Sequence, residues 1–269
     1  MLLKNVLKIG LLSLSLIGLS HCTSDNENSN SVRLGVISGP EAEVMNTVKK
    51  YAKEQFNLEV KVVEFSDYAM PNRALAEGSI DANLFQHQPY LDEANHKMKY
   101  NLVSIGKTYS FPMGIYSKKH SSLVEAPPRA LIGIPSDPSN QGRALKLLAK
   151  SKLINIPLDI EDINLTPFNI SYNPLGLKFA SLDAAQLPRA LNDLDYAIIN
   201  TNYALGAGLK AYPDALFMEE ADSPYANLLV VKASEAEDKR FKQLLYTLRS
   251  DEVQNRMSEL FKDQALPAW

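Results

Sequence analysis

From Val32 onward, short apolar runs alternate with segments of helical period. Residues 32–37 read as a buried strand. Over 41–56, Val44, Val48, Tyr51, Ala52 and Phe56 recur at helical spacing. Residues 60–65 form the next strand. Residues 71–77 form a short helix, with Pro71 at a tolerated early position and Gly78 as its stop. A third strand covers 80–85. This strand–helix order predicts a parallel sheet with helices on both faces. A helix at 91–99 and extended segments at 102–109 and 113–117 follow. The pattern then restarts: strand 131–134, helix 141–151, a strand ending at Phe179, helix 186–191 and strand 196–199. Extended segments at 215–218 and 228–231 precede two closing helices, 237–249 and 251–261.

The repetition predicts two α/β units, each a sheet flanked by helices. The extended segments 113–117 and 228–231 are the natural crossings between them. A double crossing makes the first lobe discontinuous, with its C-terminal helices returning to cover the N-terminal sheet. The expected division is 32–116 with 228–269 for the first lobe and 117–227 for the second. A single continuous α/β domain is the alternative. Clefts between lobes are favoured ligand sites.

The N-terminus follows another pattern. Lys4 and Lys8 precede an apolar run, 9–19, that ends shortly before Cys22. The run is shorter than the roughly 20 residues needed to span a bilayer and suits a secretory signal. Leu19, Ser20, His21 and Cys22 resemble a bacterial lipobox, in which the cysteine is lipidated, for example with palmitate. His21 departs from the small residue usual before the cysteine. Cys22 is the only cysteine, so no internal disulfide forms. Residues 23–31 contain no apolar side chain and read as a flexible tether. The expected plan is a signal peptide over 1–21, a lipid-anchored tether over 22–31 and a folded body. The protein would then sit on a bacterial membrane, facing the periplasm or exterior.

The chain of 269 residues has a net charge of −3, and this balance suggests no nucleic-acid partner. Beyond the signal, His87, His96 and His120 are not at metal-ligand spacing, so no metal site is expected. Nucleotide-binding and nucleophile-elbow motifs are absent, which leaves catalysis and cofactors without a positive sign.

The candidate chemistry is that of a small-molecule site. Residues 81–91 end a strand in Phe85, His87 and Tyr90, and with Tyr68 these rings form either an aromatic wall or ordinary core. The segment 135–143 runs from strand to helix. Ser139 or Asn140 can cap that helix, and Arg143 offers a fork for a carboxylate. Asn200, Asn202 and Asn227 lie at or near strand ends, where their carbonyls can accept from an ammonium.

The motifs Asp67-Tyr68 through Asn72, Asp81-Ala82-Asn83 through Leu91, Asn140 through Arg143, Gln186 through Leu191, Ile199-Asn200-Thr201 and Ser223-Pro224-Tyr225 through Asn227 resemble the NlpA lipoproteins. The resemblance covers nearly the whole chain. It implies a type II two-lobed periplasmic-binding-protein fold that holds L-methionine or a close relative between the lobes for an ABC importer. It also implies no enzymatic activity and a monomer. Carried over by motif, Tyr68, Phe85 and Tyr90 would surround the ligand side chain, with His87 as a polar wall. Arg143 would bind its carboxylate, and Asn200 and Asn227 its ammonium or carboxylate. Asn140 and Asn202 are secondary candidates. A methionine-containing dipeptide, another apolar amino acid, an enzyme of the same fold and a surface adhesin or antigen role remain open.

Overall fold

The computed structural model describes residues 30–211, 213–220 and 224–269. The signal, Cys22, nearly all of the tether and Ser223 lie outside the described residues.

The first half builds β1 (Ser31–Ile37), α1 (Pro40–Phe56), β2 (Glu59–Phe65), α2 (Met70–Ala76), β3 (Ala82–His87), α3 (Gln88–Met98) and β4 (Leu102–Ser110). A second series follows: β5 (Gly114–Tyr116), β6 (Leu131–Pro135), α4 (Pro138–Lys150), β7 (Lys178–Leu182), α5 (Leu187–Ala190), β8 (Tyr196–Ile199), α6 (Thr201–Gly206) and β9 (Ala215–Met218). The chain ends with β10 (Ala226–Lys232), α7 (Lys239–Leu248), α8 (Asp251–Phe261) and β11 (Leu266–Pro267).

These strands form two sheets, β11-β4-β10-β3-β1-β2 and β7-β6-β8-β5-β9. β2, β1 and β3 are mutually parallel, and β10 runs antiparallel between β3 and β4. In the second sheet β6 is parallel to β7 and β8, while β5 is antiparallel to β8 and β9.

Each sheet is apolar on both faces because helices cover both, as parallel sheets require. On the first sheet, Val44 and Val48 of α1, Phe241 and Leu244 of α7 and Met257 and Phe261 of α8 share one core. Leu75 of α2 and Leu91 of α3 pack on the opposite face with Val230. The C-terminal helices therefore return to the N-terminal sheet. In the second sheet, β8 shows the period-2 alternation of a strand buried on both faces. Tyr196 and Ile198 join the α4 core, and Ala197 and Ile199 join the α5–α6 core.

Three expectations change. The segments 113–117 and 228–231 are not the crossings: Gly114–Tyr116 and Ala226–Lys232 are ladder strands of the second and first sheets. The chain instead leaves the first sheet after Ser110 and enters the second at Gly114, then leaves the second after Met218 and re-enters the first at Ala226. Pro112 and Pro224 fall in these links, where a missing N–H costs no ladder bond. The third strand starts at Ala82, not Ile80, because the Asp81 carboxylate is held by the backbone N–H and guanidinium of Arg33. Finally, neither Ser139 nor Asn140 caps α4. Asp137 does, accepting from Asn140 N at 2.9 Å, and Pro138 occupies the first turn.

Candidate functional site

The C-terminal ends of the parallel strands of both sheets face one cleft, the location where open α/β sheets bind ligands. Glu41 follows β1, Tyr68 follows β2, and Phe85 and His87 end β3. From the other lobe, Asn140 and Arg143 sit in the first turns of α4, after β6, and Asn200 and Asn202 follow β8. Asn227 enters from β10. All nine ligand-binding candidates line a single narrow chamber, joined by Glu41, Gln86, Phe111, Thr201 and Tyr225.

One end of the chamber is aromatic. The Phe85 and Tyr90 rings are 5.6 Å apart at 78°, and Tyr68 lies 5.7 Å from Phe85 and 6.1 Å from Tyr90. Tyr203 closes the same wall 4.9 Å from Tyr68. The hydroxyls are committed: Tyr90 donates to Tyr68 O at 2.9 Å and Tyr68 to Asn202 Oδ1 at 2.8 Å. Burial pushes both phenols far above their ordinary ionisation range. The wall is therefore neutral and rigid, with ring faces and edges as its available surface.

The other end is polar. Asp137 accepts two bonds from Asn140 Nδ2 at 3.0 and 3.1 Å. Asn140 Oδ1 then accepts from Asn200 Nδ2 at 3.0 Å and stands 3.3 Å from His87 Nε2. His87 Nδ1 accepts from Tyr90 N, so the proton resides on Nε2 and is donated to Asn140. Burial, with the nearby Arg143 charge, holds the His87 pKa down at about 3. Asn140 is thus occupied as a connector between the lobes. Asn200 Oδ1, by contrast, is buried and meets no donor among the described residues. A buried acceptor without a donor is costly unless a ligand supplies one.

Arg143 is buried, and its guanidinium lies 4.4 Å over the Tyr225 ring. Its Nε and Nη2 edge grips Glu219 at 2.5–3.1 Å, and Nη2 also donates to Phe111 O at 2.8 Å. The two N–H groups of Nη1 find no acceptor among the described residues. Glu41 lies in the first turn of α1 with Asn227 Nδ2 at 3.5 Å from Oε1. Burial raises its pKa to about 8, so it is neutral at pH 7.

Glu41, Glu219 and Tyr225 went unseen as site residues. Glu41 reads as an ordinary acidic first-turn residue, although its place after the first strand marks the same strand-end position as Tyr68 and Asn200. Glu219 and Tyr225 lie on the second crossing, whose location the sequence pattern misplaces. Among the described residues, no cluster of three or more His, Cys, Asp or Glu side chains could hold a metal ion. No helix among them is long and apolar enough to cross a membrane.

Two sheets joined by two crossings, with a chamber between them, define a two-lobed periplasmic substrate-binding-protein fold. The sequence model of the NlpA lipoproteins matches residues 32–269, and the chain belongs to that family. It is 39% identical over 261 residues to the D-methionine-binding lipoprotein MetQ of Escherichia coli K12, covering 96% of this chain and 94% of that protein. A nutrient-binding protein from Burkholderia cenocepacia, solved bound to methionine, superposes with a TM-score of 0.86 at 44% identity, covering 88% of this chain and all of the other. A periplasmic substrate-binding protein of an ABC transporter from Coxiella burnetii gives a TM-score of 0.85 at 48% identity over 88% of this chain and 100% of that one.

Proposed function

We propose that this chain is a substrate-binding lipoprotein that captures L-methionine or a close relative between its lobes and delivers it to an ABC importer in the cytoplasmic membrane. The carrying observation is the pairing of a neutral aromatic wall with, at the opposite end of one chamber, a buried arginine and a buried acceptor lacking a donor. Tyr68, Phe85 and Tyr90 enclose the thioether, whose sulfur–aromatic contacts contribute roughly 0.3–1.5 kcal/mol each. Arg143 Nη1 takes the carboxylate. Asn200 Oδ1 accepts from the ammonium, assisted by Asn227. His87, Asn140 and Asn202 position these groups and join the lobes. The methionine named for the Escherichia coli relative and bound in the Burkholderia cenocepacia structure supports this ligand class.

Binding without turnover is part of the reading, because the relatives it resembles are named as binding proteins for methionine, nutrients and transport substrates. The lipid on Cys22 tethers the body as a monomer to the membrane, facing the periplasm or exterior, and lets the loaded lobes meet the permease. The test is mass spectrometry of the small molecules released on denaturing the purified full chain, with calorimetric titration of the emptied protein. One unmodified L-methionine per chain is expected. A dipeptide or another apolar amino acid would replace the ligand named here. Turnover of any amino-acid derivative by the pure protein would refute the transport reading.

A further inference from the structure

Glu219 and Arg143 form a buried pair, with side-chain exposures of 10% and 4%. The pair stands where both crossings meet. Glu219 Oε2 accepts from Met113 N at 3.1 Å, Glu219 N donates to Met113 O at 2.9 Å, and Arg143 Nη2 reaches Phe111 O at 2.8 Å. The arginine is therefore fixed on one edge by four hydrogen bonds, three to Glu219 and one to Phe111 O, before any ligand arrives. The pairing also removes its net charge. The chamber's other titratable groups add none at pH 7, since Glu41 and His87 are both held neutral by burial.

An arginine free of a counter-ion in such a site would attract any carboxylate. An arginine already matched by a carboxylate makes the chamber neutral. It then gains little from an anion alone and more from a molecule that brings both charges, with its ammonium near the Asn200 acceptor.

We propose that Glu219 determines specificity as the counter-charge of Arg143, setting the chamber to prefer a zwitterionic amino acid over the same molecule without its ammonium. This rests on the reading of the chamber as an amino-acid site. Glu219 touches Arg143 and the crossings, so it acts through Arg143 as a positioning residue.

The test is titration calorimetry of the full chain with three probe pairs: L-methionine and its des-amino acid, L-leucine and isocaproate, and L-phenylalanine and hydrocinnamate. In Glu219→Gln the preference for the amino acid over its des-amino partner should fall by roughly tenfold or more, since the ammonium then meets the unmatched positive charge of Arg143, which the des-amino acid does not. Glu219→Asp keeps the charge but shortens the reach. It should weaken both members of a pair while leaving their ratio close to wild type. A purely structural role would move both members alike in both variants, and an unchanged ratio in Glu219→Gln would overturn the proposal. Wild-type binding of leucine or phenylalanine but not methionine would sink the methionine reading while leaving the ratio test intact. Wild-type binding of no pair would overturn both.

Discussion

Arg143 and Asn140 lie one helical turn apart, yet their surroundings assign them different work. Arg143→Ala removes the carboxylate's partner and leaves Glu219 buried without its counter-charge. Losing one member of a buried pair costs roughly 3–5 kcal/mol, so methionine binding should fall by roughly a hundredfold or more. Asn140→Ala deletes a connector, leaving Asn200 Nδ2 and His87 Nε2 without their acceptor. The cost should be about 1–3 kcal/mol, the penalty for unsatisfied buried polar groups. Calorimetry on both variants checks the order, and equal losses would contradict it. Glu41 and His87 make stability depend on pH in opposite directions. With a folded pKa of about 8, Glu41 keeps a proton that the unfolded chain has released above pH ~4.3, so stability falls as pH rises through that window. With a folded pKa of about 3, His87 stays neutral while the unfolded chain binds a proton below 6.5, so stability falls as pH drops. Between about pH 4.3 and 6.5 the two slopes oppose each other, so in melting temperatures across pH 3–9 Glu41→Gln should remove the decline between about pH 6.5 and 8, His87→Gln should remove the decline below about pH 4.3, and each should uncover the other group's slope in between.

At the scale of elements, α4 shows how a short sequence sets geometry. Its Asp137 cap orders Asn140, while Gly142 lets the helical turn at Asp162–Asn164 lie directly against the helix. A Cβ at position 142 would stand 1.9 Å from Asp162 O. Asp162 in turn binds Lys146 and the hydroxyl of Tyr225, the ring that backs Arg143. Gly142→Ala should therefore cost about 1–3 kcal/mol by overpacking and should also weaken methionine binding as Tyr225 loses its anchor. Urea denaturation and calorimetry read the two effects, and a stability loss without any loss of affinity would argue against the Asp162–Tyr225 link. Elements of this kind were largely legible in the chain. Apolar period alone marks β8, β9 and α8 at their observed ends, and the aromatic run 81–91 identifies a strand end in the cleft. Pro89 opens α3, because a proline suits a helix's first turn. What pattern cannot convey is pairing across 76 residues, as between Arg143 and Glu219, or the burial of a carboxylate such as Glu41. Those depend on how two sheets meet, and the local sequence of a first-turn glutamate is the same whether it faces water or a chamber.

For the whole molecule, a small polar set beside the ligand chamber joins the lobes, alongside the Tyr68–Tyr203 ring contact and Leu205 of α6 packed against the first lobe's core. Tyr68 donates to Asn202, His87 to Asn140, and Tyr203 to Ser66 O at 3.3 Å, each bond linking one sheet's loops to the other's. These hydrogen bonds exist only when the lobes are together, so they stabilise the closed form. Their effect should consequently appear in release and not in capture. Tyr68→Phe isolates one of them. The ring retains its packing against Phe85 and Tyr203, and only the hydroxyl is lost. A hydrogen bond of this type contributes about 0.5–1.5 kcal/mol, which corresponds to a few-fold to roughly tenfold faster dissociation of methionine. The association rate should be nearly unchanged, because an open cleft admits ligand before Tyr68 reaches Asn202. Asn202→Ala should have the same effect, and the double variant should add little, since both changes remove one shared bond. Stopped-flow fluorescence on the three variants measures this directly. Slower association with an unchanged release rate would mean that Tyr68 shapes the open lobe and does not hold the closed one together.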